Sequence, residues 1–123
     1  MIRKAHRFRG HNSLNYVYQR GRTVRGPLFA IKYILNPKRE AYRAAVVISR
    51  KVHKSAIGRN RIRRRLYECL RLLEDQINQP YDIVVTIYHD SVLTESYTEL
   101  QNQLTNQLHD GGIISRQPAE TKA

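Results

Sequence analysis

The stretch "GRNRIRRRLYECLR", Gly58–Arg71, contains five arginines within the seven residues from Arg59 to Arg65. Such a concentration of like charge repels itself, and a polyanion lying against it would relieve that repulsion. The planar guanidinium of arginine also suits phosphate groups and the faces of bases better than the ammonium of lysine. The stretch therefore predicts a surface that binds a polyanion, but composition alone leaves open DNA or RNA, duplex or single strand.

The same stretch predicts the central helix of the chain. Apolar residues recur at helical spacing from Ile62 to Ile77, and the helix should end before Pro80. On a helical wheel Arg61 and Arg64 lie opposite the apolar stripe, and Arg65 lies beside them. An ordinary solvated face is the alternative, but mixed-sign charge is typical of such faces, and here five bases precede any acid.

Charge is distributed unequally along the 123 residues. Residues 1–65 contain 19 Lys and Arg and one acid, whereas residues 66–123 contain 3 bases and 9 acids. This predicts one polyanion-binding face and one solvated back. The single cysteine excludes a disulfide framework and fits a reducing cytosol. We find no signal peptide and no apolar stretch long enough to span a bilayer, so the expected location is the cytoplasm, with no membrane contact.

The other segments predict a single α+β domain. Two apolar runs separated by a Pro-containing turn predict a β-hairpin, a third run predicts a strand, and two amphipathic runs predict further helices. The predicted strands are Leu28–Leu35, Arg43–Ser49 and Tyr81–His89, and the further helices are residues 11–20 and Leu93–Leu108. The domain is expected to span residues 1–112, and residues 113–123 to form a polar, flexible tail.

No protein active site is predicted. His89-Asp90 follows a strand but lacks further metal ligands, and Cys69 falls in the apolar stripe of the central helix. Most tyrosines are assigned to packing, namely Tyr16, Tyr33, Tyr42, Tyr81, Tyr88 and Tyr97. The sequence predicts no catalytic residue and no metal ligand.

The run "RNRIRRRLYE", Arg59–Glu68, resembles the motif R-N-R-x-[KR]-R-x-x-R-E of the bacterial ribonuclease P protein subunit family. The order of "VYQRG", "FAIKYI", "RAAVVISRKV", "YDIVVTI" and "ESYTEL" extends the resemblance over nearly the whole chain. It implies a small two-layer α+β domain in the order αβββαβα, similar to domain 2 of ribosomal protein S5. The implied sheet is mainly antiparallel, with a left-handed β-α-β crossover around the arginine helix.

The resemblance also implies a function. In the family an RNA subunit carries the active site and its Mg²⁺ ions. The protein binds that ribonuclease P RNA and holds the 5′ leader of precursor tRNA between its first helix and the sheet. Hydrolysis then releases the leader and leaves mature tRNA. The protein alone is expected to be inactive, to hold no metal ion and to need no protein partner.

Carried over by position, the resemblance predicts three groups of residues. Those expected to bind the RNA subunit are Arg59, Asn60, Arg61, Arg63, Arg64 and Arg65. Those expected to bind the leader or precursor tRNA are Leu14, Tyr18, Lys32, Arg50, Lys51 and Lys54. Glu68 is expected to orient arginines, Arg64 in particular. Leu14, Lys32 and Tyr67 depart from the residues that the family often has, which changes the expected stacking surfaces.

Two other functions stay open at this point. One is a non-catalytic RNA-binding module of the ribosomal-protein type, which would give ribonuclease P RNA no advantage. The other is an autonomous nuclease, whose metal-dependent cleavage would depend on His89 or Asp90.

Overall fold

The elements follow the order that the family resemblance implies, namely helix, three strands, helix, strand and helix. The computed structural model describes residue 6 and residues 11–114. The helices are α1 (His11–Arg20), α2 (Ala56–Leu73) and α3 (Tyr97–Asp110), and the strands are β1 (Arg22–Arg25), β2 (Phe29–Leu35), β3 (Arg43–Ile48) and β4 (Tyr81–Ile87). Short 3-10 helices at Glu74–Gln76 and Asp90–Leu93 lie before and after β4.

The four strands form one sheet in the order β1-β2-β4-β3. β2 pairs antiparallel with both β1 and β4, and β3 pairs parallel with β4, so antiparallel pairing dominates as expected. The predicted hairpin of β2 with β3 is wrong, because β4 lies between them. The hairpin partner of β2 is β1, which the sequence interpretation missed. The left-handed sense of the crossover from β3 through α2 to β4 stays a prediction.

One face of the sheet carries the main core. Alternate strand residues such as Phe29, Ile31 and Val85 point to this face, where α2 and α3 pack against them. The apolar stripes of the two helices are fully buried at Ile62, Leu66, Leu70, Leu100, Leu104 and Leu108. The spacing predicted for the central helix is therefore confirmed.

The short helix α1 covers part of the opposite face. Val17 is fully buried there with Val84, and Ala45 packs in the same small cluster. Leu14 and Tyr18 are half-buried at its margin. Alternation along β2 places Lys32 on this same face, in register with Val84 of β4. Three of the predicted leader residues, Leu14, Tyr18 and Lys32, therefore lie on the same face of the sheet.

The domain extends beyond the predicted boundary at residue 112. Gly112 has a φ of 77° and ends α3 in a left-handed turn, and the Ile113 N–H donates to the Leu108 carbonyl at 2.9 Å. This turn returns the chain to the core, where Ile113 and Ile114 are 4% and 5% exposed. Both residues belong to the domain. The rest of the predicted tail, residues 115–123, lies outside the described residues.

Candidate nucleic-acid interface

The basic loop before α2 is tied to the first turn of that helix. The Ser55 hydroxyl accepts a hydrogen bond from the Gly58 N–H at 3.2 Å and so caps the helix. The Arg59 guanidinium turns back and donates to the carbonyls of His53 and Lys54, both at 2.9 Å. Arg59 therefore holds the loop against the helix as well as adding charge to it.

Arg61 and Arg64 form the exposed part of the arginine cluster. Both side chains are exposed, and neither is paired with an acid in the part of the chain that the structure describes. Arg63 is half-buried, and its guanidinium donates to the Asn60 side-chain oxygen at 2.9 Å. The first three turns of α2 thus present two guanidiniums to solvent, neither of them paired with an acid among the described residues.

Glu68 offsets charge farther along α2. Its carboxylate accepts from Arg71 Nε at 2.7 Å and 3.0 Å, and this hydrogen bond lowers the pKa of Glu68. The pairing predicted with Arg64 is not the one that forms. The strongest positive charge therefore lies at the start of α2.

Arg65 does not share the exposed face. It is 9% exposed, and its guanidinium donates to the carbonyls of Val92 at 3.1 Å, Leu93 and Glu95. The guanidinium carbon also lies 4.5 Å from the centre of the Tyr97 ring. The helical-wheel placement is wrong because the turn before α3 crosses this flank of α2 and presents its carbonyls there. We leave Arg65 out of the candidate interface.

Tyr67, which stands at the position of the last arginine in the family motif, also turns inward. It is 8% exposed, and its hydroxyl accepts from the Val46 N–H of β3 at 3.2 Å. β3 is an edge strand of the sheet, so one row of its backbone groups has no partner among the described strands. Tyr67 satisfies one of them. This departure from the motif has a structural role.

The cleft side of α1 brings three predicted residues together. Lys32 Nζ donates to the Tyr18 carbonyl at 2.7 Å and lies 5.8 Å from the centre of the Tyr18 ring. Leu14 packs in the same cluster as Tyr18. The aromatic ring, the aliphatic side chain and the ammonium group therefore share one surface between α1 and the sheet.

Arg50, Lys51 and Lys54 are exposed in the loop after β3. Since β3 and β4 are parallel, this loop lies at the same end of the sheet as the residues that follow β4. An open cavity there is lined by Lys51, Tyr88 and His89, among others. The loop contributes positive charge at this end, next to the start of α2.

Several exposed side chains were missed. Tyr16, Tyr88 and Tyr97 are 52%, 43% and 54% exposed, so their assignment to the core is wrong, although the Tyr97 ring packs on the Arg65 guanidinium. Tyr33 and Tyr42 are buried, as predicted. Ile57, in the first turn of α2, is 73% exposed beside the arginines. Ile57 precedes Ile62, where the apolar stripe begins, by five residues, and a helical period of 3.6 residues therefore places it off the stripe.

No metal centre forms from protein side chains within residue 6 and residues 11–114, since no three His, Cys, Asp or Glu lie close enough together. His89 instead caps a 3-10 helix, where its Nδ1 accepts from the Ser91 N–H at 3.1 Å. Cys69 is buried in the core as predicted. No helix among the described residues is long and apolar enough to cross a membrane.

Comparison with known proteins gives one consistent family. The model of the family named Ribonuclease P matches residues 2–111. The ribonuclease P protein component of Chloroflexus aurantiacus is 34% identical over 120 residues, covering 98% of this chain and 87% of that protein. The component from Synechococcus elongatus is 32% identical, covering 90% of this chain and 93% of its own.

Solved structures share the fold. The ribonuclease P protein of Staphylococcus aureus superposes with a TM-score of 0.80 at 22% identity, covering 91% of this chain and 100% of that one. The protein from Thermotoga maritima gives 0.75 at 21% identity, covering 85% and 96%. The predicted family and its α+β fold are confirmed.

Proposed function

The chain belongs to the bacterial ribonuclease P protein family, and from this premise we propose that it binds the ribonuclease P RNA and the 5′ leader of precursor tRNA. As a ribonuclease P protein component it is a subunit of a nuclease, with an RNA subunit as partner. Its proposed contribution is to position RNA for hydrolytic removal of the leader. The hydrolysis itself is assigned to the RNA subunit.

The observation that carries this proposal is the exposed start of α2. Arg61 and Arg64 extend into solvent without acidic partners among the described residues, next to the exposed Arg50, Lys51 and Lys54. Exposed guanidinium and ammonium groups can neutralise phosphates and release their counterions. The surface supports docking on a structured RNA, with Asn60 and Arg63 as neighbouring contacts.

The surface between α1 and the sheet supports leader binding. Stacking of a base on an aromatic ring contributes about 1–3 kcal/mol and tolerates any base, which suits leaders of variable sequence. Tyr18 offers the ring and Lys32 the positive charge, only 5.8 Å from it. Leu14 departs from the residue that the family often has at this position, so one expected stacking surface is aliphatic in this protein.

Magnesium is assigned to the RNA. The described side chains form no group able to hold a metal ion, so we assign the Mg²⁺ that hydrolysis needs mainly to the RNA subunit and the substrate. The proposed place of action is the bacterial cytoplasm, and no protein partner is required.

The test is cleavage of a precursor tRNA with a 5′ extension at low Mg²⁺. Three reactions are compared, namely bacterial ribonuclease P RNA alone, this protein alone, and both together. Efficient cleavage only in the combined reaction is expected. If the protein bound RNA tightly but gave no gain in cleavage, the general RNA-binding module would replace this proposal.

A relative makes the protein-alone reaction informative. A mutant of the Staphylococcus aureus protein has defective mRNA degradation activity. That protein is only 22% identical to this chain, which shows a shared fold and no more. The control should therefore include an mRNA as well as the precursor tRNA. Cleavage of either RNA by the purified protein would favour an autonomous nuclease. Loss of that cleavage in His89→Ala would place the active site of such a nuclease at His89.

A further inference from the structure

A second basic and aromatic site lies at the end of the sheet where β2 ends and β4 begins. An open cavity of about 300 Å³ is formed there by the end of α1, the start of β1 and the residue that follows α3. The loop that carries Arg50, Lys51 and Lys54 follows the end of β3, which is parallel to β4. The cavity and that loop therefore lie at opposite ends of the sheet.

Two tyrosines form the inner wall of the cavity. Tyr33 is 8% exposed, and its ring meets that of Tyr81 edge to face, with 6.0 Å between ring centres and 73° between planes. Tyr81 is the less buried of the two and gives the more accessible ring surface. Leu35, 46% exposed, adds an aliphatic side chain at the rim.

A glycine lies tightly against this wall. A Cβ atom at Gly111 would lie 3.0 Å from two carbons of the Tyr33 ring, which is closer than side chains normally approach. A side chain at residue 111 would therefore require the Tyr33 ring to shift by a few tenths of an ångström.

The rim of the cavity is positively charged. Arg20 and Arg22 line it and are both exposed, and no acidic residue of the described part of the chain lines it. A cavity elsewhere in the described structure has the reverse character, since Glu40, Glu74 and Asp75 line it. Two guanidiniums around an aromatic and aliphatic wall match a nucleotide, whose phosphates are anionic and whose base is flat and apolar on its faces.

We propose that this cavity binds one nucleotide of a single-stranded RNA segment, with the base against Tyr81 and Leu35 and the phosphates on Arg20 and Arg22. The inference rests on the proposed RNA-binding function and adds a second contact to it. α1 connects this cavity to the proposed leader surface, because Arg20 at the rim of the cavity follows Tyr18 by two residues. The segment bound here comes either from the leader or from the RNA subunit.

The direct test uses ¹⁵N-labelled protein titrated with a five-nucleotide oligoadenylate. Backbone amide shifts at Arg22, Leu35 and Gly111 are expected. Arg22→Gln and Tyr81→Leu should each weaken oligonucleotide binding by at least about fivefold, whereas Tyr81→Phe should keep most of it. Arg39→Gln is the matched control, since it removes an exposed arginine from the loop after β2 that does not line the cavity.

Equal losses in Arg22→Gln and Arg39→Gln, or no shift at the three amides, would overturn the second site. Precursors with leaders of two and twelve nucleotides then identify the source of the segment. A loss confined to the long leader assigns the cavity to the leader, and a loss with isolated ribonuclease P RNA assigns it to that RNA. Rescue of cleavage by the unmodified protein is measured separately, so failure of the second site is distinguishable from failure of the proposed function.

Discussion

Arg61 and Arg65 are separated by one turn of α2 but have different environments. Arg61 is exposed, whereas the guanidinium of Arg65 is surrounded by three backbone carbonyls and the Tyr97 ring. Hydrogen bonds from a charged donor are among the stronger ones, and buried carbonyls that lose their donor are costly. Two arginines of the same motif thus have separable roles.

Arg65→Met should lower the free energy of unfolding by about 2–4 kcal/mol, because it leaves the carbonyls of Val92, Leu93 and Glu95 without their donor. Arg61→Met removes the same charge from an exposed site and should change it by less than about 0.5 kcal/mol. Urea unfolding measures both. At equal folded fraction, Arg61→Met should weaken RNA binding more than Arg65→Met does. A larger loss of RNA affinity in Arg65→Met would show that Arg65 belongs to the interface.

Tyr18→Ala should weaken binding of precursor tRNA by about fivefold or more, since a base loses its stacking surface. Binding of mature tRNA, which has no leader, should change little. Tyr16→Ala is the matched control, because Tyr16 lies on the same helix and is 52% exposed. Fluorescence anisotropy with both RNAs gives the comparison. Equal loss for precursor and mature tRNA would remove Tyr18 from the leader surface.

Cys69 should be unreactive while the protein is folded. Burial raises the pKa of its thiol from 9.0 to about 11, so at pH 8 the thiolate fraction is about a hundredfold below that of an ordinary cysteine. The folded thiol keeps its proton when the unfolded one begins to lose it. This contribution to stability is therefore complete below about pH 9 and is lost as the pH rises toward 11.

Two measurements check this expectation. Reaction of Cys69 with a thiol reagent at pH 8 should be slow in buffer and fast in denaturant. Between pH 8 and 11 the free energy of unfolding should fall less steeply in Cys69→Ala than in the unmodified protein. Burial and the Glu74 hydrogen bond also raise the pKa of Tyr42, so the two proteins must be compared at each pH. Rapid labelling of the folded protein would contradict the burial.

At the scale of elements, the edge strand β3 depends on a side chain from α2. The Tyr67 hydroxyl accepts the Val46 N–H, one of the backbone groups that no neighbouring strand satisfies. An edge with free N–H and C=O groups is a site for unwanted pairing. Tyr67 therefore protects β3 while the rest of α2 packs behind the sheet.

Tyr67→Phe should lower the free energy of unfolding by about 1 kcal/mol, the usual contribution of a buried hydrogen bond. The Val46 amide should also exchange with solvent faster. Tyr16→Phe removes a hydroxyl from an exposed ring and should change neither quantity. If the Val46 exchange rate stayed constant in Tyr67→Phe, the edge would have another source of protection.

Most helices and strands were predictable from the sequence, but the pairing of the strands was not. Periodicity was sufficient for α2 and β4, because each has an apolar pattern of one clear period over many residues. The partners of β3 were not predictable, since a nearly continuous apolar run fits any central neighbour equally well. Proximity in sequence favoured β2, but β4 occupies that place. β1 was missed because "RTVR" has only one apolar residue.

At the scale of the whole molecule, positive charge is divided between the two ends of the sheet. The start of α2 and the loop before it lie at one end, and Arg20 and Arg22 lie at the other. The sequence indicated the excess of charge in residues 1–65 and the arginine helix within it. The sequence could not indicate that Arg20 and Arg22 border a cavity, because α1, β1, β2 and β4 come together at that end of the sheet only in the folded chain.

Salt dependence tests which end meets the RNA subunit. Arg61→Ala with Arg64→Ala should reduce the slope of log affinity against log salt by about one to two, since two phosphate contacts are lost. Lys38→Ala with Arg39→Ala removes the same charge from the exposed loop after β2 and should leave the slope nearly unchanged. Filter binding of ribonuclease P RNA between low and moderate salt measures it. Equal slopes in the two double variants would show that the RNA is attracted by the overall positive charge of the protein and not by a specific contact with Arg61 and Arg64.

The candidate site was predictable where exposure follows from the helical period and unpredictable where tertiary contacts decide. Arg61 and Arg64 were correctly placed on the exposed face. The orientation of Arg65 depends on the turn that Asp90–Leu93 makes across α2, more than 20 residues later in the chain. Lys32 meets Tyr18 only because α1 packs on the face of the sheet that carries Lys32, and this helix-on-sheet contact cannot be inferred from the sequence.

The position of β4 affects how the protein must be made. β4 lies at the centre of the sheet although both of its neighbours precede it in the chain. A ribosome therefore synthesises residues 1–80 before the strand that joins β2 to β3 exists. Until then the nascent chain is strongly cationic, and β2 and β3 lack the strand that lies between them. Closure of the sheet depends on contacts distant in sequence, which form slowly. A chain stopped at Pro80 would keep the arginines but lack every central strand pairing.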